Sequence, residues 1–304
     1  MKKTLMTASA AALLLATASA FAADLPSRKD EPVYVPPPVL TWTGFYVGLN
    51  AGGVFGGNND TSIGTAAGAI NTGVLSVTGV NHALDYAVAS NAYLPGNNFG
   101  GFIGGGQVGY NYQWGNFVIG LETDIQGVAG TSTTTTANGL ASIAGESPVA
   151  AGMQASRSLD YLGTVRGRIG YLVTPTLLIY GTGGFAYGGA TSYAGIIAAE
   201  TVPTGLLPTG AAGSFSDILT GWTAGGGLEW MFMPNWSAKL EYLYYDLGNA
   251  TYALSPMVGS LAAPPAIAFA HASAVSARYN GNIVRAGVSY HFNWGAPAPV
   301  LAKY

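Results

Sequence analysis

Eight charged residues sit at alternate positions within otherwise apolar stretches: Glu122 and Asp124, Arg166 and Arg168, Lys239 and Glu241, with Glu229 and Arg285. Residues spaced by two lie on one side of an extended chain. Four carboxylates gathered against four cations could neutralise one another as buried ion pairs, or could line a charged path whose field selects ions. A second constellation, His271-Ala272-Ser273, puts an imidazole and a hydroxyl on one face of an extended segment, which is the start of a nucleophile and base arrangement. No Asp or Glu follows in that segment to orient the histidine; Asp246 and Asp217 lie in other segments. His82 and His291 belong to no cluster with metal-ligand spacing, and the chain has no cysteine for thiolate sites or disulfides. No catalytic, cofactor-binding or metal residue is assigned, and no cofactor is implied.

The elements that carry these charges read as strands. In "NWSAKLEYLYYDLG" (235–248), Trp236, Ala238, Leu240, Tyr242 and Tyr244 share one parity, while Ser237, Lys239 and Glu241 share the other, followed by Leu243 and Tyr245. That is a period of two. Eight segments have this character: 43–54, 102–114, 116–127, 159–173, 176–188, 219–232, 235–247 and 282–292. Short turns join the second to the third at Trp114-Gly115-Asn116, the fourth to the fifth at 173–176, and the sixth to the seventh at Met233-Pro234-Asn235. The other four connections, 55–101, 128–158, 189–220 and 248–281, are long.

Composition decides which parity faces inward. Of 304 residues 49% are hydrophobic and only 8% are Asp, Glu, Lys or Arg, against roughly 25% in soluble proteins. That is too little charge to coat a soluble surface. No segment beyond the leader offers the roughly 20 consecutive apolar residues of a membrane-spanning helix, so a membrane would have to be crossed by strands. The apolar parity then faces lipid and the polar parity faces a lumen, and closure removes sheet edges that hydrocarbon could not satisfy. Lys2 and Lys3, the apolar run 5–18 and Ala20-Phe21-Ala22 read as a secretory signal over 1–22. Its cleavage moves the formal charge from -3 to -5, a balance that offers nothing to nucleic acid. A proline-rich periplasmic linker follows over 23–41, then the barrel over 42–292 and a tail over 293–304.

The expected fold is all-β: a transmembrane antiparallel up-and-down barrel of eight strands, with short periplasmic turns and four long extracellular loops. The combination of "WTGFYVGLNAGG", "GGQVGYNYQWGNFVIGLETDIQG", "RGRIGYLVTPTLLIYGTGGFAYG", "GWTAGGGLEW", "KLEYLYYDLG" and "VRAGVSYHF" resembles the small eight-stranded outer-membrane barrels of alphaproteobacteria, the porin-family or surface-antigen type with an OmpA-like barrel. The resemblance implies an outer-membrane location and a structural or surface role, with no particular substrate. The His271/Ser273 pair resembles part of a lipid-deacylase triad, but lacks the acid. Phe292, with Tyr290 before it, resembles the terminal-strand assembly signal of such barrels.

The eight charges are expected to meet in one band of the lumen as an ion-pair plug, either packing or a gate. Trp42, Trp114, Trp222, Trp230, Trp236, Tyr290 and Phe292 are assigned to the membrane interfaces. The expected partners are outer-membrane lipid and the barrel assembly machinery, with the chain a monomer and no nucleic acid bound. A structural, surface-facing barrel is the leading reading; a narrow porin-like diffusion channel and a loop-mediated receptor or adhesin stay open. In the long connections, "VLSVTGV" (74–80) suggests strands extended as hairpins, and "TSTTTTANG" (131–139) is polar, low in complexity and expected to be mobile. The apolar runs 196–199 and 261–270 are expected to pack over the mouth or to meet a hydrophobic partner.

Overall fold

Alternating side chains on a chain of small residues build a wall with two unlike faces. The computed structural model describes residues 40–57, 60–70, 77–96, 100–143, 147–202, 208–260 and 268–292. Residues 1–39, read from the sequence as the leader and most of the proline-rich linker, and the expected tail 293–304 lie outside them. In chain order the elements are β1 (Gly44–Phe55), β2 (Thr61–Ala66), β3 (Ala69–Ile70), α1 (Val77–Ala89), β4 (Ala92–Leu94), β5 (Gly100–Trp114), β6 (Phe117–Ala129), β7 (Thr133–Ala141), β8 (Val149–Thr174), β9 (Leu177–Glu200), β10 (Thr209–Met233), β11 (Trp236–Ala253), β12 (Met257–Ser260) and β13 (Ala268–Phe292). Pairing runs β1-β5-β6-β8-β9-β10-β11-β13, and β13 pairs back onto β1, from Phe45 opposite Phe292 to Phe55 opposite Asn282. Eight antiparallel strands therefore close on themselves.

The three tight turns fall as expected at Gly115-Asn116, Pro175-Thr176 and Pro234-Asn235. Gly115 and Asn235 take the left-handed region there, at φ +59° and +71°, where Gly and Asn are the residues best tolerated. At the other end the sheet outgrows the expected spans. β8 has 26 residues, β9 24, β10 25 and β13 25, whereas crossing hydrocarbon takes about 9–11 tilted residues. More than half of each of these strands stands beyond the apolar belt.

Two expectations about the connections are corrected by this. Residues 77–80 of "VLSVTGV" open helix α1 and do not form a strand; 71–76 lie outside the described residues. The threonine-rich run is β7, paired with β8 from Thr133 opposite Arg157 to Ala141 opposite Val149. It is an ordered strand because Thr, β-branched, suits a pleated surface. The apolar run 196–199 lies in β9 and packs as expected at that end, with Ile196 and Ala198 in the apolar cluster and Ile197 exposed; of the run 261–270, residues 261–267 lie outside the described residues. Above the ring, β2 continues the line of β1 along β13 and β7 continues β6 along β8. α1 packs against β7, β8 and β13 at that end.

Outward-facing side chains form the belt. Phe117, Ile119, Leu121, Val165, Ile169, Leu228, Leu240, Val284 and Val288 are all exposed. Near the turns stand Trp114, Trp230 and Trp236, with Tyr290 packed on Trp236 at 5.2 Å and on Phe292 at 5.1 Å. Phe55, Phe102, Phe185 and Trp222 are exposed 8 to 12 residues higher. At about 3.3 Å per residue and a tilt of about 40° those spacings correspond to roughly 20–30 Å, the height of a barrel's apolar band.

Candidate functional site

The inner parity of β6, β8, β10, β11 and β13 brings all eight sequence-selected charges into one buried band. Register does this directly: Glu122 lies opposite Arg166, Glu229 opposite Lys239, and Glu241 opposite Arg285. Arg166 pairs with Glu122 and, at 2.8 Å, with Asp124 on the neighbouring β6, reaches Glu241 across the lumen at 3.1 Å, and donates Nε to Thr164 Oγ1 at 2.9 Å. Arg285 donates to Glu241 through Nε at 2.7 Å and to Asp124 through Nη2 at 2.9 Å. Lys239 Nζ reaches both oxygens of Glu122 at 3.1 Å. Arg168 donates to Glu229 at 2.6 Å, and its guanidinium lies 4.1 Å over the Tyr180 ring. Four acids meet four bases with no formal excess.

Sequence reasoning missed the neutral partners that complete the band. Tyr46 donates to Glu122 Oε2 at 2.7 Å and Tyr180 to Glu241 Oε1 at 2.9 Å. Ser237 donates to Glu229 Oε1 at 2.6 Å and lies 2.9 Å from His291 Nε2. Each shares the inner parity of its strand with a charge or a polar side chain, which was the available signal.

Sequence reasoning also missed what lies above and below. Toward the turns, Val118, Leu172, Leu178 and Met231 close the lumen together with Trp42. Trp42 was assigned to the membrane interface, but it is 1% exposed and donates Nε1 to the Pro175 carbonyl at 3.1 Å. It is a stopper, drawn inward because its indole N–H finds an acceptor at the barrel floor. Above the charges, Val54, Ile103, Leu159, Leu162, Leu243, Tyr245, Leu247 and Ile283 form a second apolar layer. The register shift between Leu159 and Tyr161 makes this possible. It turns odd-numbered inner residues (Arg157, Leu159) into even-numbered ones (Leu162, Thr164), so that one bulge places two leucines in the same layer.

The far end holds a third apolar cluster, including Ile63, Tyr86, Leu94, Met153, Ile196 and Phe269, beneath and around α1. His271 lies here. Its Nε2 donates to the Ala83 carbonyl at 2.7 Å, and Ser273 Oγ meets Thr65 Oγ1 at 2.9 Å. His271 and Ser273 thus share a face, as their spacing requires, yet each is engaged with a different element beneath the helix. Burial pushes the His271 imidazole below its ordinary value. The folded chain keeps it neutral while the unfolded chain protonates it below about pH 6.5. The unfolded state then binds more protons, and the cap loses stability as pH falls through that range. Lowering pH from 7.5 to 5 should reduce amide protection, measured relative to the intrinsic exchange rate at each pH, across residues 82–89. His271→Gln, which can still donate to Ala83, should remove most of that loss; an equal loss of protection in both proteins would assign the effect to another group.

Residues 8–292 match the family model described as outer membrane protein beta-barrel domain. The chain is 35% identical over 254 residues to the 31 kDa outer-membrane immunogenic protein of Brucella melitensis, covering 81% of this chain and 88% of the relative. It is 30% identical over 152 residues to the 22 kDa outer membrane protein of Rhizobium leguminosarum bv. viciae, covering 49% and 56% respectively. Among solved structures it is similar to Ail, the attachment invasion locus protein of Yersinia pestis. That likeness is 13% identical, covers 78% of this chain and 99% of the other, and has a TM-score of 0.26.

Proposed function

Because the chain belongs to the outer membrane beta-barrel family, we propose that it is a sealed, surface-displaying structural barrel of the envelope and not a diffusion channel. One observation carries this: the charged band lies between two apolar layers, with Leu162, Tyr245 and Ile283 buried above it and Trp42 and Leu178 buried below. An ion leaving the charges in either direction meets packed hydrocarbon, where an unpaired charge is costly. Both apolar layers must open together for conduction. The strands beyond the belt then serve display, held rigid by α1 and its cluster. The reading is also non-catalytic, since His271 and Ser273 are engaged beneath the helix. We further propose a monomer in contact with outer-membrane lipid on all sides, inserted by the barrel assembly machinery.

Planar-bilayer recording of refolded protein, with liposome swelling beside it, tests the seal. Wild type should give no steps above protein-free controls. Glu241→Gln should stay equally silent, because the apolar layer above the charges is untouched. Reproducible steps from protein whose gel mobility changes on boiling, as a folded barrel's does, would overturn the sealed reading in favour of the channel.

A further inference from the structure

Above the membrane belt, the outer face of β7, β8, β9 and β10 has an unusual chemistry. Register lines up three rows across it: Asn138, Gly152, Ile197 and Gly210; then Thr136, Gln154, Gly195 and Ala212; then Thr134, Ser156, Tyr193 and Ser214. Glycine at 152, 195 and 210 leaves a dent of about 580 Å³, edged by Thr136, Asn138, Gln154 and Ser255. Among the described residues, the outward positions of these rows carry no charged side chain; Asp160, at the β8 bulge, is the first charge met toward the belt on β8. A water-facing sheet normally carries charge. This one offers amides and hydroxyls.

Tyr193 gives the dent a direction. A side-chain carbon at Gly195 would lie 3.3 Å from its Oη and 3.7 Å from ring carbons. The hydroxyl end of the ring therefore leans toward Gly195, and the residue is 45% exposed. A flat, pre-positioned aromatic beside Gln154, Asn138 and Thr136 combines rigid contact area with adaptable hydrogen bonding. The ring face suits the C–H face of a pyranose, and the amides suit its hydroxyls. Lack of charge selects against sulfated, phosphorylated or acidic sugars, which would bury an unpaired anion's hydrogen-bonding needs at a neutral wall.

We propose that this groove binds a neutral saccharide, stacked on Tyr193 and hydrogen-bonded by Gln154, Asn138 and Thr136. The source is either the cell's own surface polysaccharide, which surrounds a wall at this height, or a glycan met outside the cell. Detergent-folded protein should be titrated with lipid-free O-polysaccharide and with maltoheptaose, a neutral glucan, using dextran sulfate as the charged control. Saturable binding of a neutral probe is expected. Tyr193→Ala should weaken it at least tenfold, Tyr193→Phe should keep most of it, and Gly195→Leu, which displaces the ring, should match the alanine variant. Both positions face outward, and unchanged heat-modifiable mobility checks that each variant is folded. Preference for the O-polysaccharide assigns the ligand to the cell's own envelope; preference for the glucan assigns it to an external glycan. No binding of either neutral probe at millimolar concentration, binding unaffected by Tyr193→Ala, or preference for dextran sulfate overturns the proposal.

Discussion

Arg166→Met should unfold the refolded barrel at markedly lower urea than wild type, with a loss on the order of 3–5 kcal/mol. Methionine fills much of the same volume, so the loss reports charge more than cavity. Arg166 stands among Glu122, Asp124 at 2.8 Å and Glu241 at 3.1 Å. Without it the four buried carboxylates of the band share what Lys239, Arg168 and Arg285 supply, and the band carries one uncompensated negative charge. Adding Glu241→Gln removes that excess and should recover a substantial part of the loss. The contrast is Arg278→Met: its pair with Asp246 at 2.7 Å has a half-exposed guanidinium, and screening by water should leave the midpoint nearly unmoved. Tryptophan fluorescence in lipid vesicles follows each transition. An Arg166→Met midpoint equal to that of Arg278→Met would mean that the band contributes packing alone.

The same band shows how much of the molecule the sequence announces. In a chain with so few charges, eight of them at alternate positions can hardly fail to share a face, and pairing rules then bring Glu122 to Arg166 and Glu241 to Arg285. The turns announce themselves too, because Gly115 and Asn235 stand where only a left-handed residue serves. The apolar layer above the charges is harder to read. Leu243 and Tyr245 continue the inner parity of Lys239 and Glu241 in plain view, but a lumen assumed to be polar leaves no reason to weigh them. Leu159 and Leu162 sit on opposite parities, and only the bulge between them brings both inward. Trp42 is hidden differently: an aromatic beside a turn end fits a lipid interface as well as a lumen stopper, and the deciding acceptor, the Pro175 carbonyl, is 133 residues away. α1 escapes because "VTGVNHALDYAVA" mixes β-branched residues and a glycine with helix formers, and its helical state comes from tertiary packing more than propensity. Local pattern thus reveals what repeats along a strand and conceals what depends on one shifted residue or one distant partner.

Leu121 and Leu140 provide the sharpest test of which solvent each part of the wall meets. Both side chains point outward, at 67% and 71% exposed, and in water the two would tolerate arginine equally. Leu121 lies four residues above Phe117 at the turn end, between Tyr110 and Gly167 on the neighbouring strands. Leu140 sits on β7, opposite Ala150, 24 residues above Thr174. Leu121→Arg should cost about 2–4 kcal/mol in vesicles, as a cation near the bilayer midplane does on a barrel's lipid face. Leu140→Arg should stay within about 0.5 kcal/mol of wild type, like an ordinary surface change. In detergent micelles, which deform around a charge, the Leu121→Arg cost should shrink while the Leu140→Arg value holds. The two positions are alike in residue type and exposure, so a cost at Leu121 that shrinks in micelles while the Leu140 value holds reports what surrounds the wall. Equal costs would place both in the same medium, and the belt of Phe117, Ile119, Leu121 and Ile169 would then need some other cover than lipid.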